Sequence, residues 1–146
     1  MAPRSTEQRK ADTLRLLAET DDCWVSTASS DGTPYLVPLS FVWDGETLTI
    51  ATAANSRTVA NARAGGMRVG LGGTRDVVMI DGELAITPIA DDRSRADAFV
   101  AATGWDPRDE EGAWVLLVLR PSRIQVWREA DELAGRTIMR AGSWVA

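Results

Sequence analysis

Ser56 and Arg57 are the residues whose types and spacing most invite chemistry. They follow an alternating apolar run, Leu48-Thr49-Ile50-Ala51-Thr52, and the short turn Ala53-Ala54-Asn55. They open a stretch from Arg57 to Ala64 with helical composition, ended by Gly65-Gly66. Free backbone N–H groups at a helix start favour an anion, and an arginine adds a bidentate, charge-assisted clamp suited to phosphate. Ser56 and Thr52 add hydroxyl donors. The alternative is an N-cap serine followed by a solvent-facing arginine. Pro38 is a second position of interest. It lies within an otherwise apolar strand, and lacking an N–H it marks an edge, a bulge or a ligand face.

Other chemistries are excluded or weakened by composition. Histidine is absent from the 146 residues, which rules out Ser-His-Asp and Cys-His catalysis and His-containing metal sites. The one cysteine, Cys23, makes no internal disulfide, and beside Trp24 it reads as a small buried hydrophobe. Asp91-Asp92 and Asp109-Glu110-Glu111 lack the spacing of a calcium loop and read as solvated charge, so no metal is expected. Of the six tryptophans, one or two could stack on a ring; most are expected to pack in the core or a dimer interface. A net charge of −5 argues against nucleic acid and anionic membrane as partners. The polar start, Met1 to Gln8, lacks a secretory core, and no run approaches a membrane span, so a cytoplasmic location is expected.

The elements that must position these residues follow from periodicity and turn chemistry. Ser5 and Gln8 have capping-box spacing before a helix from about Thr6 to Ala18. Strands are expected over Cys23–Ala28, Tyr35–Trp43 and Thr47–Thr52, the last two joined by the Asp44-Gly45 hairpin. Met67–Leu71 and Val77–Thr87 follow, the second with a bulge at Gly82. A helix capped by Asp91-Asp92 runs to about Ala102, before Gly104. Ala113–Leu119 is a strand that Pro121 interrupts and Ile124–Trp127 continues. The tail from 128 has no clear periodicity. Closely spaced strands joined by turns favour an antiparallel barrel or sandwich in a single domain over 1–146, with an N-terminal helix in 1–20, a barrel in 23–127 and a tail in 128–146.

One succession of segments carries a resemblance. Asp31-Gly32-Thr33-Pro34 precedes Val37-Pro38-Leu39-Ser40-Phe41; then come the Asp44-Gly45 turn, Leu48 to Thr52, and Ser56-Arg57 opening a helix that contains Asn61. This order resembles the FMN-binding split-barrel superfamily, also called pyridoxamine 5′-phosphate oxidase-like, which includes the deazaflavin-dependent reductases. The resemblance is best from Cys23 to Pro88 and weaker from Arg120 to Trp127. It implies a mainly β fold with flanking helices, a six-stranded antiparallel split β-barrel, and a homodimer with a flavin or deazaflavin between the subunits. It further implies that backbone groups at Pro38, Leu39 and Ser40 face the isoalloxazine ring. Thr52, Ser56 and Arg57 would hold the ribityl phosphate, and Arg75, Val77 and Trp127 would line the cofactor groove.

The resulting expectation is a flavin- or deazaflavin-dependent oxidoreductase passing hydride to or from a small conjugated or heteroaromatic substrate. A redox cofactor performs that transfer itself, so the missing histidine fits this chemistry better than hydrolysis. The superfamily's name-giving oxidase uses a histidine in a C-terminal motif, which this chain lacks. An Arg-rich, Lys-poor composition, with Lys10 the single lysine, fits an actinobacterial source and tips the cofactor toward coenzyme F-420 over FMN. Arg63, Arg68 and Arg75 could hold that coenzyme's oligoglutamate tail. The alternative is a non-catalytic protein that only holds a flavin, haem or lipid-like ligand.

Overall fold

A computed structural model describes residues 2–145, so Met1 and Ala146 lie outside the account that follows. The first helix, α1, spans Thr6–Glu19. Ser5 caps it, its hydroxyl accepting from Gln8 N at 3.1 Å. The reciprocal half of the expected capping box is not made, because the Gln8 side chain donates instead to Asp12 at 2.8 Å. Leu17 is buried on the helix face that meets the barrel.

Six strands form that barrel: β1 (Asp22–Ala28), β2 (Pro34–Trp43), β3 (Leu48–Ala53), β4 (Arg68–Leu71), β5 (Val77–Pro88) and β6 (Trp114–Trp127). They neighbour one another antiparallel in the order β3-β2-β1-β4-β5-β6, and a β3–β6 ladder from Leu48↔Leu119 to Ala53↔Trp114 closes the circle. Alternation sorts the side chains. Along β1, Cys23, Val25 and Thr27 turn inward while Trp24 and Ser26 turn out. The interior is filled by Val25, Phe41, Leu48, Ile50, Val69, Ile80, Leu117, Leu119, Ile124 and Val126. Helix α2 (Arg57–Gly65) packs against β1. Helix α3 (Arg93–Thr103), capped by Asp92, covers the outside of β3 through Ala96 and Phe99.

Two features depart from the expected pattern. Pro121 does not interrupt β6: it stands opposite Gly82, where the β5–β6 register shifts, so its missing N–H falls at the bulge. A Cβ on Gly82 would lie 2.1 Å from the Arg120 carbonyl oxygen, so only glycine permits this close approach. The tail, in which no element was expected, forms a hairpin of β7 (Thr137–Arg140) and β8 (Ser143–Trp144) beside β6. Its two-residue turn places Ala141 at φ 49° and Gly142 at φ 80°. Both values are positive, as a type I′ turn requires. Lys10 Nζ sits 5.1 Å over the Trp144 ring, so the hairpin is fastened to the chain's own α1.

Charge also ties the ends together. Glu132, in the turn after β6, is buried, and its carboxylate accepts from Arg4 Nη2 at 2.7 Å, Arg4 Nε at 3.0 Å and Arg128 N at 2.8 Å. Arg4 also reaches Asp12 at 3.0 Å, and Arg128 reaches Asp76 at 3.2 Å. Among the described residues, no helix is long and apolar enough to cross a membrane.

Candidate functional site

The outward side chains of four neighbouring strands make an apolar row. Trp24 on β1 faces Pro38 of β2 on one side and Gly70 of β4 on the other, and Gly70 faces Met79 of β5. Gly70 keeps the row low between Trp24 and Met79, since a Cβ there would stand 3.3 Å from the Met79 sulfur. Leu36, Leu71, Val77 and Trp127 complete the walls of a groove of about 560 Å³. That volume suits a small organic ligand, and aromatic or aliphatic walls with few polar groups are the usual lining of such sites. Trp24 and Leu36 are 51% and 59% exposed, unusually open for side chains of this size.

Positive charge around the groove is matched by carboxylates. Arg68, at the groove edge, makes a fork to Asp81 through Nε at 2.8 Å and Nη2 at 2.9 Å. Arg123 approaches the same carboxylate at 3.7 Å. Arg68 and Arg123 together hold Asp81 below the usual carboxylate range. Arg75, on the β4–β5 turn, points away into solvent and pairs with Glu129 at 2.7 Å.

The start of α2 differs. Ser56 caps the helix, its hydroxyl accepting from Val59 N at 3.2 Å. The Arg57 guanidinium lies 5.7 Å over the Tyr35 ring, and among the described residues no carboxylate lies within salt-bridge distance of it. Asn61 donates to Thr27 at 3.2 Å, which fixes α2 against the barrel end. Thr52 is buried there at the end of β3. Thr27 pairs with Tyr35, and the next pair along, Ser26 and Leu36, lies at the groove. The anion-ready helix start therefore meets the barrel end at the inward-facing Thr27–Tyr35 pair, and the apolar groove begins at the next pair, Ser26 and Leu36, on the outer face of the same ladder.

The sequence-derived candidates fall into several places. Thr52, Ser56 and Arg57 gather at the barrel end with α2. Val77 and Trp127 line the groove, and Pro38 borders a shallow extension of it with Cys23 and Leu71. Ser40 is on the same face, but its hydroxyl donates to Asp22 at 2.7 Å. The Leu39 side chain turns inward and packs on the barrel core. Arg75 stands outside the groove. Burial pushes the Cys23 thiol up to about 12, consistent with an inert residue. Leu36, Gly70 and Met79 also line the groove, and no local motif in the sequence marks them. Their signal is the period-two alternation of β2, β4 and β5, which becomes informative only once the register is known.

The sequence profile of the family described as Pyridoxamine 5'-phosphate oxidase matches residues 10–128. The chain belongs to that family. Among curated proteins none matches. Solved structures with the family's fold include an F-420 reductase, at 19% identity and TM-score 0.63, covering 75% of this chain and 93% of that one. General Stress Protein 26 from Bacillus anthracis str. Sterne is 20% identical with TM-score 0.66, covering 83% and 94%. A pyridoxamine 5'-phosphate oxidase-related, FMN binding protein from Nostoc punctiforme is 16% identical with TM-score 0.54, covering 83% and 78%. These likenesses establish the closed barrel with flanking helices that the family shares.

Proposed function

We propose that this chain is a flavin-type oxidoreductase of the pyridoxamine 5'-phosphate oxidase family, working as a cytoplasmic homodimer with the cofactor between subunits. The observation that carries the reading is an uncompensated arginine at a helix start, seated over Tyr35 at the barrel end, together with an apolar groove on the outer face of the same β1–β2 ladder. Arg57 and Ser56, with Thr52 behind them, would hold the cofactor phosphate. Trp24, Leu36, Met79 and Trp127 would flank the ring and exclude water from it. The bound group supplies hydride transfer, and the chain's own residues bind and orient. Similar structures carrying names such as F-420 reductase and FMN binding protein support a flavin-type ligand.

Between the two cofactors, the arginines weigh toward FMN. Of Arg63, Arg68 and Arg75, the three that an oligoglutamate tail would use, Arg68 and Arg75 already face carboxylates, which leaves Arg63 alone for it. Titration of the protein with FMN and with coenzyme F-420, followed by tryptophan emission, tests the reading. Trp24 and Trp127 in the groove should be quenched by one of them, and quenching by neither would refute it. A non-catalytic ligand carrier is the second reading, favoured by the lack of any unpaired ionisable side chain lining the groove among the described residues. It predicts that reduced bound cofactor passes electrons to acceptors no faster than free cofactor does.

A further inference from the structure

We propose that the groove on the β1–β2–β4–β5 face selects an uncharged aromatic molecule and rejects its anionic analogues. This rests on the reading of the groove as the reaction site, and it names the class of substrate that would meet the cofactor there.

The argument is one of charge and shape. The floor is Trp24, Gly70 and Met79, and the walls are Leu36, Val77 and Trp127. Gly70 opens a slot between an indole face and a thioether, both of which favour the faces and edges of aromatic rings. Among the described residues one cation, Arg68, reaches the lining, and Asp81 holds its Nε and Nη2 edge. A carboxylate or sulfonate entering the groove would meet one cation whose charge Asp81 already offsets, among otherwise apolar walls, and burying an anion against those walls without a full counter-charge is unfavourable. An uncharged ring system loses nothing there and covers the exposed Trp24 and Leu36. The phosphate anchor at Arg57 lies outside this groove, so a ligand's negative charge has its own place on the barrel end.

A matched pair of dyes tests this: N-phenyl-1-naphthylamine, which is neutral, and 8-anilinonaphthalene-1-sulfonate, the same ring skeleton with one negative charge. Both brighten in apolar sites. The neutral dye is expected to bind about tenfold tighter or more, since its analogue must bury an unpaired charge. Asp81→Asn, which frees Arg68 and Arg123, is expected to close most of that gap by improving the sulfonate. Trp24→Ala is expected to weaken the neutral dye while thermal unfolding stays unchanged. Equal or tighter binding of the sulfonate by the wild type overturns the proposal. Binding of neither dye also overturns it, because the face would then be closed off by a second copy of the chain. FMN titrated in parallel separates the two readings. If FMN binds and the dye order is reversed, the substrate class alone is refuted. If FMN fails and the dye order holds, the cofactor reading falls and the groove's selectivity stands.

Discussion

Arg68 on β4 and Asp81 on β5 stand directly opposite each other in the ladder and share two parallel hydrogen bonds, Nε to Oδ1 at 2.8 Å and Nη2 to Oδ2 at 2.9 Å. The pair is open to solvent, with side chains 46% and 33% exposed. Exposed pairs contribute about 0–1 kcal/mol, so Asp81→Asn should leave urea unfolding within about 1 kcal/mol of wild type. Its expected effect is on what the groove accepts. A larger loss of stability would assign the pair a structural role instead.

Arg57→Ala should weaken binding of the phosphate-bearing cofactor by roughly 10–100-fold, the loss expected for a charge-assisted contact. Arg57 is exposed and rests on Tyr35, so thermal unfolding should barely move. Arg57→Lys should recover part of the affinity, because it keeps the charge and loses the fork. Unchanged affinity in the alanine variant would remove the helix start from the site.

Gly82→Ala should cost about 2 kcal/mol or more, since its Cβ would press on backbone atoms of Arg120 and Pro121 that cannot move independently. Gly65→Ala is the control, at the end of α2 with nothing within 4 Å of the added carbon. It should be neutral or slightly stabilising. Equal effects at the two sites in a urea melt would show that the bulge is not constrained by this contact.

Glu132 predicts a pH dependence. Hydrogen bonds from Arg4 hold its carboxyl at about 2, against an ordinary value of 4.5. A depressed folded-state value means that the stabilisation is full above about 4.5 and is lost as the pH falls toward about 2. Glu132→Gln should therefore be about 2–3 kcal/mol less stable at neutral pH, with the difference from wild type shrinking through that acid window. A constant difference across the window, in melts taken at several pH values, would contradict the linkage.

Much of the barrel was legible in sequence because its signals are local. Ser5, Ser56 and Asp92 each cap the helix they precede, and the Asp44-Gly45 turn joins β2 to β3. The bulge at Gly82 was legible, while its consequence for Pro121 was not, because that depends on which residue of β6 lies opposite. The β7–β8 hairpin has no such local signal, because Ala141 supplies a positive φ that asparagine or glycine usually supplies. The site divided the same way. Ser56-Arg57 declares itself by adjacency. The row Pro38–Trp24–Gly70–Met79 spans four strands, and nothing local links its members.

The β3–β6 ladder also governs when the molecule can exist. Leu48 and Leu119 are partners about 70 positions apart, so the circle stays open until β6 is available, and such long-range closure slows folding. During synthesis β1, β2 and β3 leave the ribosome with the edge of β3 unpaired, and α3, which covers β3, is made only shortly before β6. The newborn chain therefore passes the whole stretch of elongation between β3 and β6 as an open sheet with a bare edge, a state prone to pairing with other chains. Substitutions that weaken β6 should raise aggregation in the cell before they alter anything in the finished barrel.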